Sequence, residues 1–310
     1  MAAGHKPVLL EEAVSALDVR PGSTVVDATF GGGGHTRAIL AAVGAGGAVV
    51  GIDRDPEAAD RVSELLADDR FTFASGAFDE VLWAMVQGGE RVDGVLFDLG
   101  LSSFQIDRPA RGFSYVSEGP LDMRMDTGSG VTAAEYLNTV EVADLVRTLV
   151  ELGDVPRGEA RRVARGIVRN RPLSTTTQLN DVVRAAVGWR ERGGNPSKRI
   201  FQAVRMRVND EQGSLRRALE ATERLLVPGG SLVAISFHSG EDRLIKRFIS
   251  EREGRCVCPP ELPVCSCGAS PIFRRGVVLR PSEEEVRGNP RSASARLRSA
   301  VRTAEPVEET

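Results

Sequence analysis

Hydrophobic and polar positions follow two different patterns along the chain. Over roughly the first hundred residues, short apolar runs alternate with longer segments in which apolar residues recur at helical spacing. The runs predict strands, and strands separated by single helices indicate βαβ units and a parallel sheet. The predicted strands are Ser23–Ala28, Ala48–Ile52, Phe71–Ala74 and Gly94–Phe97, and the predicted helices are His35–Val43, a segment starting at Asp55-Pro56, and Phe78–Gln87.

The alternation of strands and helices stops after Asp98. Residues 109–198 contain no convincing strand pattern and hold amphipathic helical stretches at Ala133–Leu152, Gly158–Asn170 and Thr177–Val187. The alternation resumes with a helix near Gly213–Leu226 and with strands at Ser231–Phe237 and Ala295–Thr303. We therefore predict an α/β protein in which residues 1–108 and 199–310 form a Rossmann-like sheet and residues 109–198 form an inserted all-helical domain.

Charge and composition narrow the candidate functions. Lys and Arg number 40 against 43 Asp and Glu, so the chain as a whole does not attract nucleic acid, and RNA binding would need a local basic surface. No apolar run is long enough to cross a bilayer, and the first residues lack the pattern of a signal peptide. We expect a cytoplasmic protein without a membrane partner.

A glycine cluster, Gly31–Gly34, directly follows the first predicted strand. Such a turn lets backbone N–H groups approach a ligand closely. A tight turn that binds no ligand would have the same glycine-rich sequence. Gly31 and Gly33 match the first two glycines of a dinucleotide-binding G-x-G-x-x-G motif, but Thr36 occupies the third position. Asp53 ends the next strand, where its carboxylate could accept the ribose hydroxyls of either NAD or S-adenosylmethionine.

Two further acids and one aromatic residue refine the candidate site. Asp27 ends the first strand, where it could face the ammonium group that S-adenosylmethionine has and NAD lacks; the alternative is that it only caps a turn. Asp98 ends the fourth strand, at the edge of a parallel sheet where ligands bind. Phe78 follows the third strand and either covers an adenine or belongs to the core.

These motifs together resemble one family, the bacterial methyltransferases that modify N4 of a cytosine in 16S ribosomal RNA. The resemblance runs over nearly the whole chain in family order. The matching strings are His5–Glu12, Asp27–Thr36, Gly51–Pro56, Asp98–Ser103, Arg111–Ser114, Gly119–Asp126, Phe201–Arg205, Ile235–Ser239 with Glu241–Arg243, and Asn289–Ser292. One position departs from the family, which usually has Leu at Gly240, and this puts the roles of Glu241 and Asp242 in doubt.

The resemblance implies a class I methyltransferase fold, S-adenosylmethionine as cofactor, and 16S rRNA within the small ribosomal subunit, at its decoding region, as partner. It also implies that the helical insert recognises the substrate. By the same resemblance the cofactor contacts are Gly33, Gly34, His35, Asp53, Phe78, Asp98 and Gln105.

Asp98 is also the predicted catalytic residue. The lone pair of cytosine N4 is delocalised into the ring, so acceptors that hold its N–H groups would favour attack on a positioned methyl group. His35 and His238 are the alternatives for a proton acceptor. The target base would have to leave its stack to reach the donor.

Two clusters outside the predicted sheet carry further hypotheses. Arginines recur at helical spacing in the insert and form either a solvated helix face or a surface for RNA phosphates. They are Arg157, Arg161, Arg162, Arg165 and Arg169, with Arg171 just beyond and Arg199, Arg205, Arg207, Lys246 and Arg247 as candidate extensions. The four cysteines, Cys256, Cys258, Cys265 and Cys267, form two C-x-C pairs that could hold a structural zinc or remain reduced thiols.

Three other functions compete with rRNA methylation. A nicotinamide-dependent Rossmann oxidoreductase would share the glycine turn and Asp53, but it leaves Asp98 and the insert unexplained. A ribosome-assembly or RNA-binding protein with an inactive pocket would not need the three acids at the strand ends. A methyltransferase acting on DNA, another nucleic acid or protein remains the third alternative.

Overall fold

The computed structural model of the chain describes residues 7–189, 194–254 and 271–303. These residues divide into two compact units, Met1–Gly100 with Gly213–Thr310, and Leu101–Gln212. We call the first the sheet unit and the second the insert unit. None of the described helices is both long and apolar enough to span a bilayer.

The sheet unit is built on a seven-stranded sheet of the described residues with the order β3-β2-β1-β4-β5-β7-β6. Strands β1 to β5 are parallel, and β7 lies antiparallel between β5 and β6. This arrangement confirms the predicted Rossmann-like α/β fold. The strands are β1 Thr24–Asp27, β2 Ala48–Asp53, β3 Phe71–Ser75, β4 Val92–Asp98, β5 Leu226–Ser236, β6 Phe273–Leu279 and β7 Arg296–Arg302.

The helices follow in chain order through both units. They are α1 Leu10–Leu17, α2 Gly34–Val43, α3 Ala58–Arg61, α4 Phe78–Gln87, α5 Ser103–Ile106, α6 Ala133–Thr139, α7 Val142–Gly153, α8 Arg157–Arg169, α9 Thr176–Val187, α10 Ser197–Val208, α11 Glu211–Leu225, α12 Ser239–Glu251 and α13 Glu283–Gly288. Short 3₁₀ turns occur at Leu65–Ala67, Pro109–Arg111 and Pro290–Ser294.

Both faces of the sheet are buried, which explains why its central strands read as continuous apolar runs rather than alternating ones. Val26 and Phe97 pack into one hydrophobic cluster, whereas their neighbours Val25 and Leu96 pack into the cluster on the other face. Phe97 is completely buried, and burial of a side chain of this size contributes roughly 1.5–3 kcal/mol. The two cores hold β1 beside β4, and this pairing positions the site described below.

One prediction about local structure was wrong, and one strand was not predicted. The predicted helix Ala133–Leu152 is two helices, because the chain turns at Val140 and the guanidinium of Arg171 binds the carbonyl oxygens of Leu137 and Val140 at 2.7 and 2.5 Å. Strand β6 was missed because it is a mostly exposed edge strand that carries arginines, so its sequence lacks the apolar pattern of a strand and resembles a basic tail.

The insert unit has its own core, formed by α6 to α10 and the segment before them. Helix α10 contributes Ile200, Phe201 and Val204, which are all buried there. The unit therefore extends to Gln212, whereas the sequence-based bounds of 109–198 would cut α10 near its start.

Two of the family-like strings, Arg111–Ser114 and Gly119–Asp126, interlock inside the insert unit. The Arg111 guanidinium donates to the Met125 carbonyl at 2.8 Å, and the Met123 amide donates to the Arg111 carbonyl at 3.1 Å. A Cβ on Gly112 would lie 2.2 Å from the Pro120 carbonyl oxygen, and Gly112 has φ +73°. These strings therefore have a structural role in the insert.

We predict that Gly112→Ala lowers the free energy of unfolding by about 2 kcal/mol or more, because the new methyl group meets backbone and the positive φ is unfavourable for alanine. Gly158→Ala in α8 is the matched control, since a Cβ added at Gly158 would have no other atom within 4 Å. The control should leave stability unchanged or raise it by up to about 1 kcal/mol. Urea denaturation of both variants measures the difference, and equal stability of the two would contradict the prediction.

Candidate active site

The candidate site lies at the carboxyl ends of the parallel strands, where Asp27, Asp53 and Asp98 end β1, β2 and β4. From β1 the chain continues outward to β2 and β3, and it then returns to form β4 on the other side of β1. The loops after β1 and β4 therefore leave the sheet in opposite directions. A crevice at such a switch point is where open α/β sheets bind ligands.

Asp53 organises the glycine turn. Its Oδ2 accepts a hydrogen bond from the Gly31 amide at 2.9 Å, and its Oδ1 accepts one from the Asp55 amide at 2.9 Å. The Arg61 guanidinium holds the same turn through the Gly31 carbonyl at 2.8 Å. Burial raises the pKa of Asp53, while the two amide bonds oppose that rise. Each carboxylate oxygen has a second lone pair, which suits the paired hydroxyls of a ribose.

Asp27 is completely buried, and both of its carboxylate oxygens are bonded to the segment that follows β1. That its carboxylate faces the cofactor's ammonium group stays a prediction. Its Oδ2 accepts a hydrogen bond from the Thr36 hydroxyl at 2.7 Å, and its Oδ1 accepts one from the Thr29 amide at 3.2 Å. Burial raises the pKa of Asp27, and the charge of His35 and these hydrogen bonds act against the rise. Asp27 therefore holds together the two ends of the glycine loop.

Asp98 is fixed in place by a hydrogen bond of its backbone amide, and one of its carboxylate oxygens has no hydrogen-bond partner among the described residues. The Asp98 amide donates to the Thr29 hydroxyl at 2.6 Å, which ties the end of β4 to the loop after β1. Its Oδ1 is buried and accepts no hydrogen bond from the described residues. A buried carboxylate oxygen without a hydrogen-bond partner is costly in a folded core, and a catalytic role is one explanation for it. Burial raises the pKa of Asp98 to about 6; the charge of His35 lowers it, and those of Asp27 and Glu241 raise it.

His35, in the first turn of α2, lies between the first described residues and Asp98. Its Nε2 lies 3.2 Å from the Val8 carbonyl oxygen, to which only a protonated Nε2 can donate. Its Nδ1 lies 3.6 Å from Asp98 Oδ2. The structure thus brings together His35 and Asp98, two of the predicted site residues.

The two predicted glycine contacts have structural reasons to be glycine. A Cβ on Gly34 would lie 2.2 Å from Pro7 Cγ, and one on Gly33, at φ +73°, would lie 2.9 Å from the Phe30 ring. Glycine at these positions lets Pro7 and Phe30 pack closely against the start of α2. A role for Gly33 and Gly34 in binding the cofactor is compatible with this packing.

The other predicted cofactor contacts lie in different surroundings. Phe78 is half-buried at the start of α4 and packs edge-on against Phe97, with ring centroids 5.7 Å apart, so it belongs partly to the core. Gln105 is buried in the insert unit, where its Oε1 accepts a hydrogen bond from the Ser102 amide at 3.1 Å.

His238, the alternative proton acceptor, caps the start of α12. Its Nδ1 accepts hydrogen bonds from the Gly240 and Glu241 amides at 3.1 and 3.4 Å, and its Nε2 lies 3.1 Å from Glu241 Oε1. Nδ1 is therefore occupied as the helix cap, whereas Nε2 lies close to Glu241 without forming a hydrogen bond to a described residue. Helix α12 forms with Gly240 in its first turn, and Asp242 makes ion pairs with Arg296 and Arg298, each at 2.7 Å.

Sequence reasoning assigned no role in this site to Thr29 or Thr36 and left the role of Glu241 open. The two threonines flank the glycine cluster, and hydroxyls beside a ligand-binding turn are the signal that could have identified them. Glu241 is 3% exposed, and its Oε2 accepts a hydrogen bond from the Phe237 amide at 3.1 Å. The zinc hypothesis at Cys256, Cys258, Cys265 and Cys267 lies outside the described residues.

Comparison with known proteins identifies relatives over the whole length of the chain. The model of the MraW methylase family matches residues 2–303. The protein named ribosomal RNA small subunit methyltransferase H in Rubrobacter xylanophilus is 69% identical over 308 residues, covering 99% of each chain. Proteins of the same name in Heliobacterium mobile and Symbiobacterium thermophilum are 44% and 45% identical, covering 96% and 97% of this chain and 98% of their own.

The raised pKa of Asp98 makes a prediction about stability. Because the folded pKa of about 6 exceeds the ordinary value of 3.8, the buried carboxylate costs folding free energy above pH 6. That cost disappears as the pH falls through 6 towards 3.8. We expect Asp98→Asn to be about 1–3 kcal/mol more stable than the wild type at pH 8, and to lose this advantage near pH 4.

Denaturant unfolding at both pH values measures this effect. Asp69→Asn is the control, because Asp69 is exposed and its replacement should change stability by less than about 0.5 kcal/mol. An Asp98→Asn protein that is no more stable than the wild type at pH 8 would show that the carboxylate is not strained by burial.

Proposed function

Since the chain belongs to the MraW methylase family, we propose that it transfers a methyl group from S-adenosylmethionine to N4 of a cytosine in 16S rRNA. The chain is an S-adenosylmethionine-dependent methyltransferase. We propose in addition that its target lies in the decoding region of the small ribosomal subunit and that its residues have the roles described below. The subunit also implies the cytoplasm as the place of action. The observation that carries the roles is the buried, unpartnered Oδ1 of Asp98 at the β1/β4 crevice.

The described residues fit S-adenosylmethionine better than a dinucleotide. The position of the third glycine of the dinucleotide motif is held by Thr36, whose hydroxyl donates to buried Asp27, so the loop is built differently from a pyrophosphate cradle. Asp53 would accept the ribose hydroxyls, and Phe78 would lie against the adenine. When bound, S-adenosylmethionine supplies an electrophilic methyl group.

Asp98 would hold the target amine. Its Oδ1 has lone pairs for one amino N–H of a cytosine, and this hydrogen bond orients the nitrogen and reduces delocalisation of its lone pair into the ring. After transfer, the methylated nitrogen is acidic and gives up a proton that Asp98 can accept. The carboxylate must be ionised for both roles, so the pKa of about 6 predicts loss of activity below that pH.

The insert would contact RNA phosphates through α8. Arg157, Arg161, Arg162, Arg165 and Arg169 are all exposed, and none of them forms an ion pair with a described residue. We refer to these five side chains as the α8 arginines. Their unneutralised charge supports a nucleic acid as substrate over a protein.

Not every arginine of the predicted basic surface belongs to this contact. Arg171 is occupied by the carbonyl groups of Leu137 and Val140. Arg205 forms a largely buried ion pair with Glu211 through bonds of 2.6 and 2.7 Å, so it supports the insert fold instead. Arg199 and Arg247 are paired with Glu159 and Glu251. The α8 arginines, in contrast, keep their full charge for a ligand.

We predict that the purified chain methylates a cytosine of 16S rRNA in small subunits from cells that lack its gene, and that Asp98→Asn lowers kcat about 100-fold or more. Mass spectrometry of digested rRNA and incorporation of labelled methyl groups measure both. Cofactor affinity should change far less than kcat, because the amide can still accept a hydrogen bond. Near-wild-type kcat in the variant would refute the role of Asp98, and methylation of DNA but not of rRNA would refute the substrate.

The α8 arginines make a separate prediction. Replacing Arg161 and Arg165 with Ala should weaken binding to small subunits and lower the slope of log K against log salt by about 1.5, since each phosphate contact contributes about 0.7–0.9. Arg20→Ala with Arg216→Ala removes the same charge from exposed positions of the sheet unit and should leave the slope unchanged. An unaltered slope in the α8 variant would contradict the RNA contact.

A further inference from the structure

One peptide group near the start of the described chain is held from both sides. The Leu9 amide donates a hydrogen bond to Glu285 Oε1 at 2.8 Å, and the Val8 carbonyl oxygen of the same peptide accepts from His35 Nε2 at 3.2 Å. Glu285 belongs to α13, which is separated from Leu9 by 276 positions in the sequence. The Val8–Leu9 peptide therefore links α13 to the histidine beside Asp98.

The conformation of this segment depends on those contacts. Leu9 has φ 53°, a left-handed backbone conformation that is unfavourable for leucine, and it is almost completely buried. Pro7, two residues earlier, packs so closely on Gly34 that a Cβ there would overlap it. Strained backbone of this kind persists only where its surroundings over-determine it, and it occurs preferentially at functional sites.

The link has a consequence for the histidine ring. In a trans peptide the N–H and C=O point in opposite directions, so a carboxylate on the N–H polarises the group and strengthens the carbonyl oxygen as an acceptor. That acceptor favours the His35 tautomer with the proton on Nε2. Nδ1 then carries a lone pair and faces Asp98 Oδ2 across 3.6 Å.

The other tautomer would interfere with the site. A proton on Nδ1 would point towards Asp98 Oδ2 and weaken Oδ1, the oxygen proposed to hold the target amine, as an acceptor, and the ring would lose its bond to Val8. The choice of tautomer therefore decides whether a neutral His35 leaves Asp98 free to accept the substrate's N–H.

We propose that Glu285 is a positioning residue for the methyl-transfer site, acting through the Val8–Leu9 peptide to hold His35 in its Nε2–H tautomer. The importance of this tautomer for catalysis rests on the proposed role of Asp98. The tautomer itself does not depend on that role, so the two can be tested separately.

Histidine-selective ¹⁵N NMR of the free protein at pH 8 tests the tautomer directly, because the chain has only three histidines. We expect His35 in the wild type to be protonated on Nε2. Glu285→Ala should lower the ratio of Nε2–H to Nδ1–H about five- to tenfold, the change that loss of one supporting hydrogen bond produces. Glu285→Gln keeps an oxygen acceptor for Leu9 but not the charge, so it should lower the ratio less than Glu285→Ala does.

Glu284→Ala is the matched control, an exposed glutamate on the same helix for which the wild-type spectrum is expected. Should Glu285→Ala not fold, Ser282→Ala loosens the turn that carries Glu285 by removing the hydrogen bond from the Glu285 amide to Ser282 Oγ, and it should shift the ratio in the same direction. An Nδ1–H tautomer of His35 in the wild type overturns the proposal. An unchanged ratio of Nε2–H to Nδ1–H in Glu285→Ala, or in Ser282→Ala where Glu285→Ala does not fold, also overturns it. Equal shifts in Glu285→Ala and Glu285→Gln also overturn it.

A second measurement connects the tautomer to catalysis. Glu285→Ala should lower kcat in proportion to the fraction of chains that keep the Nε2–H tautomer in the NMR spectrum, while the KM for small subunits stays within a factor of about two, since Glu285 touches neither substrate. An altered tautomer with unchanged kcat would contradict the catalytic part of the inference and leave the RNA target of the proposed function untouched. Absence of rRNA methylation in the wild type would instead refute the proposed function while the NMR result stands.

Discussion

The parallel pairing of β1 with β4 is the constraint on which the rest of the site depends. It sets Asp27 opposite Leu96, so that Asp98 stands just beyond the last paired residue of β1. The hydrogen bond from the Asp98 amide to Thr29 then continues the connection where the ladder ends. Because both strands are buried on both faces, neither can shift without exposing core residues. The position of Asp98 is therefore determined by the packing of the whole sheet.

Three carboxylates meet at this edge, and their surroundings give each a different task. Asp27 is completely buried with both oxygens bonded, so it serves the loop. Asp53 binds two amides and is half-buried, which leaves it able to meet a ligand. Asp98 alone of the three has a buried oxygen without a partner in the described chain. Because hydrogen bonding differs among the three, the same residue type forms a structural anchor at Asp27, and under the proposed function it would supply a ribose acceptor at Asp53 and an acceptor for the reacting amine at Asp98.

Much of this could be predicted from periodicity and short motifs. Apolar runs located the five parallel strands, and the acids at their ends identified the edge of the sheet at which the site lies. Pairing that depends on distant residues could not be predicted: Glu285 meets Leu9 across almost the entire chain, and no local pattern links them. Burial was equally hidden, since Arg165 and Arg205 look alike in sequence, yet one is exposed and the other is paired with Glu211 in the insert core.

Calorimetric titration with S-adenosylhomocysteine, the demethylated cofactor, and in parallel with NAD tests the central claim most directly. If the acids at the ends of β1, β2 and β4 build a pocket for the methyl donor, one molecule of S-adenosylhomocysteine should bind per chain, and NAD should give no heat. Asp53→Ala should weaken that binding about tenfold or more, because the ribose hydroxyls would lose a charged acceptor. Binding of NAD, or the absence of S-adenosylhomocysteine binding by folded protein, would contradict the account.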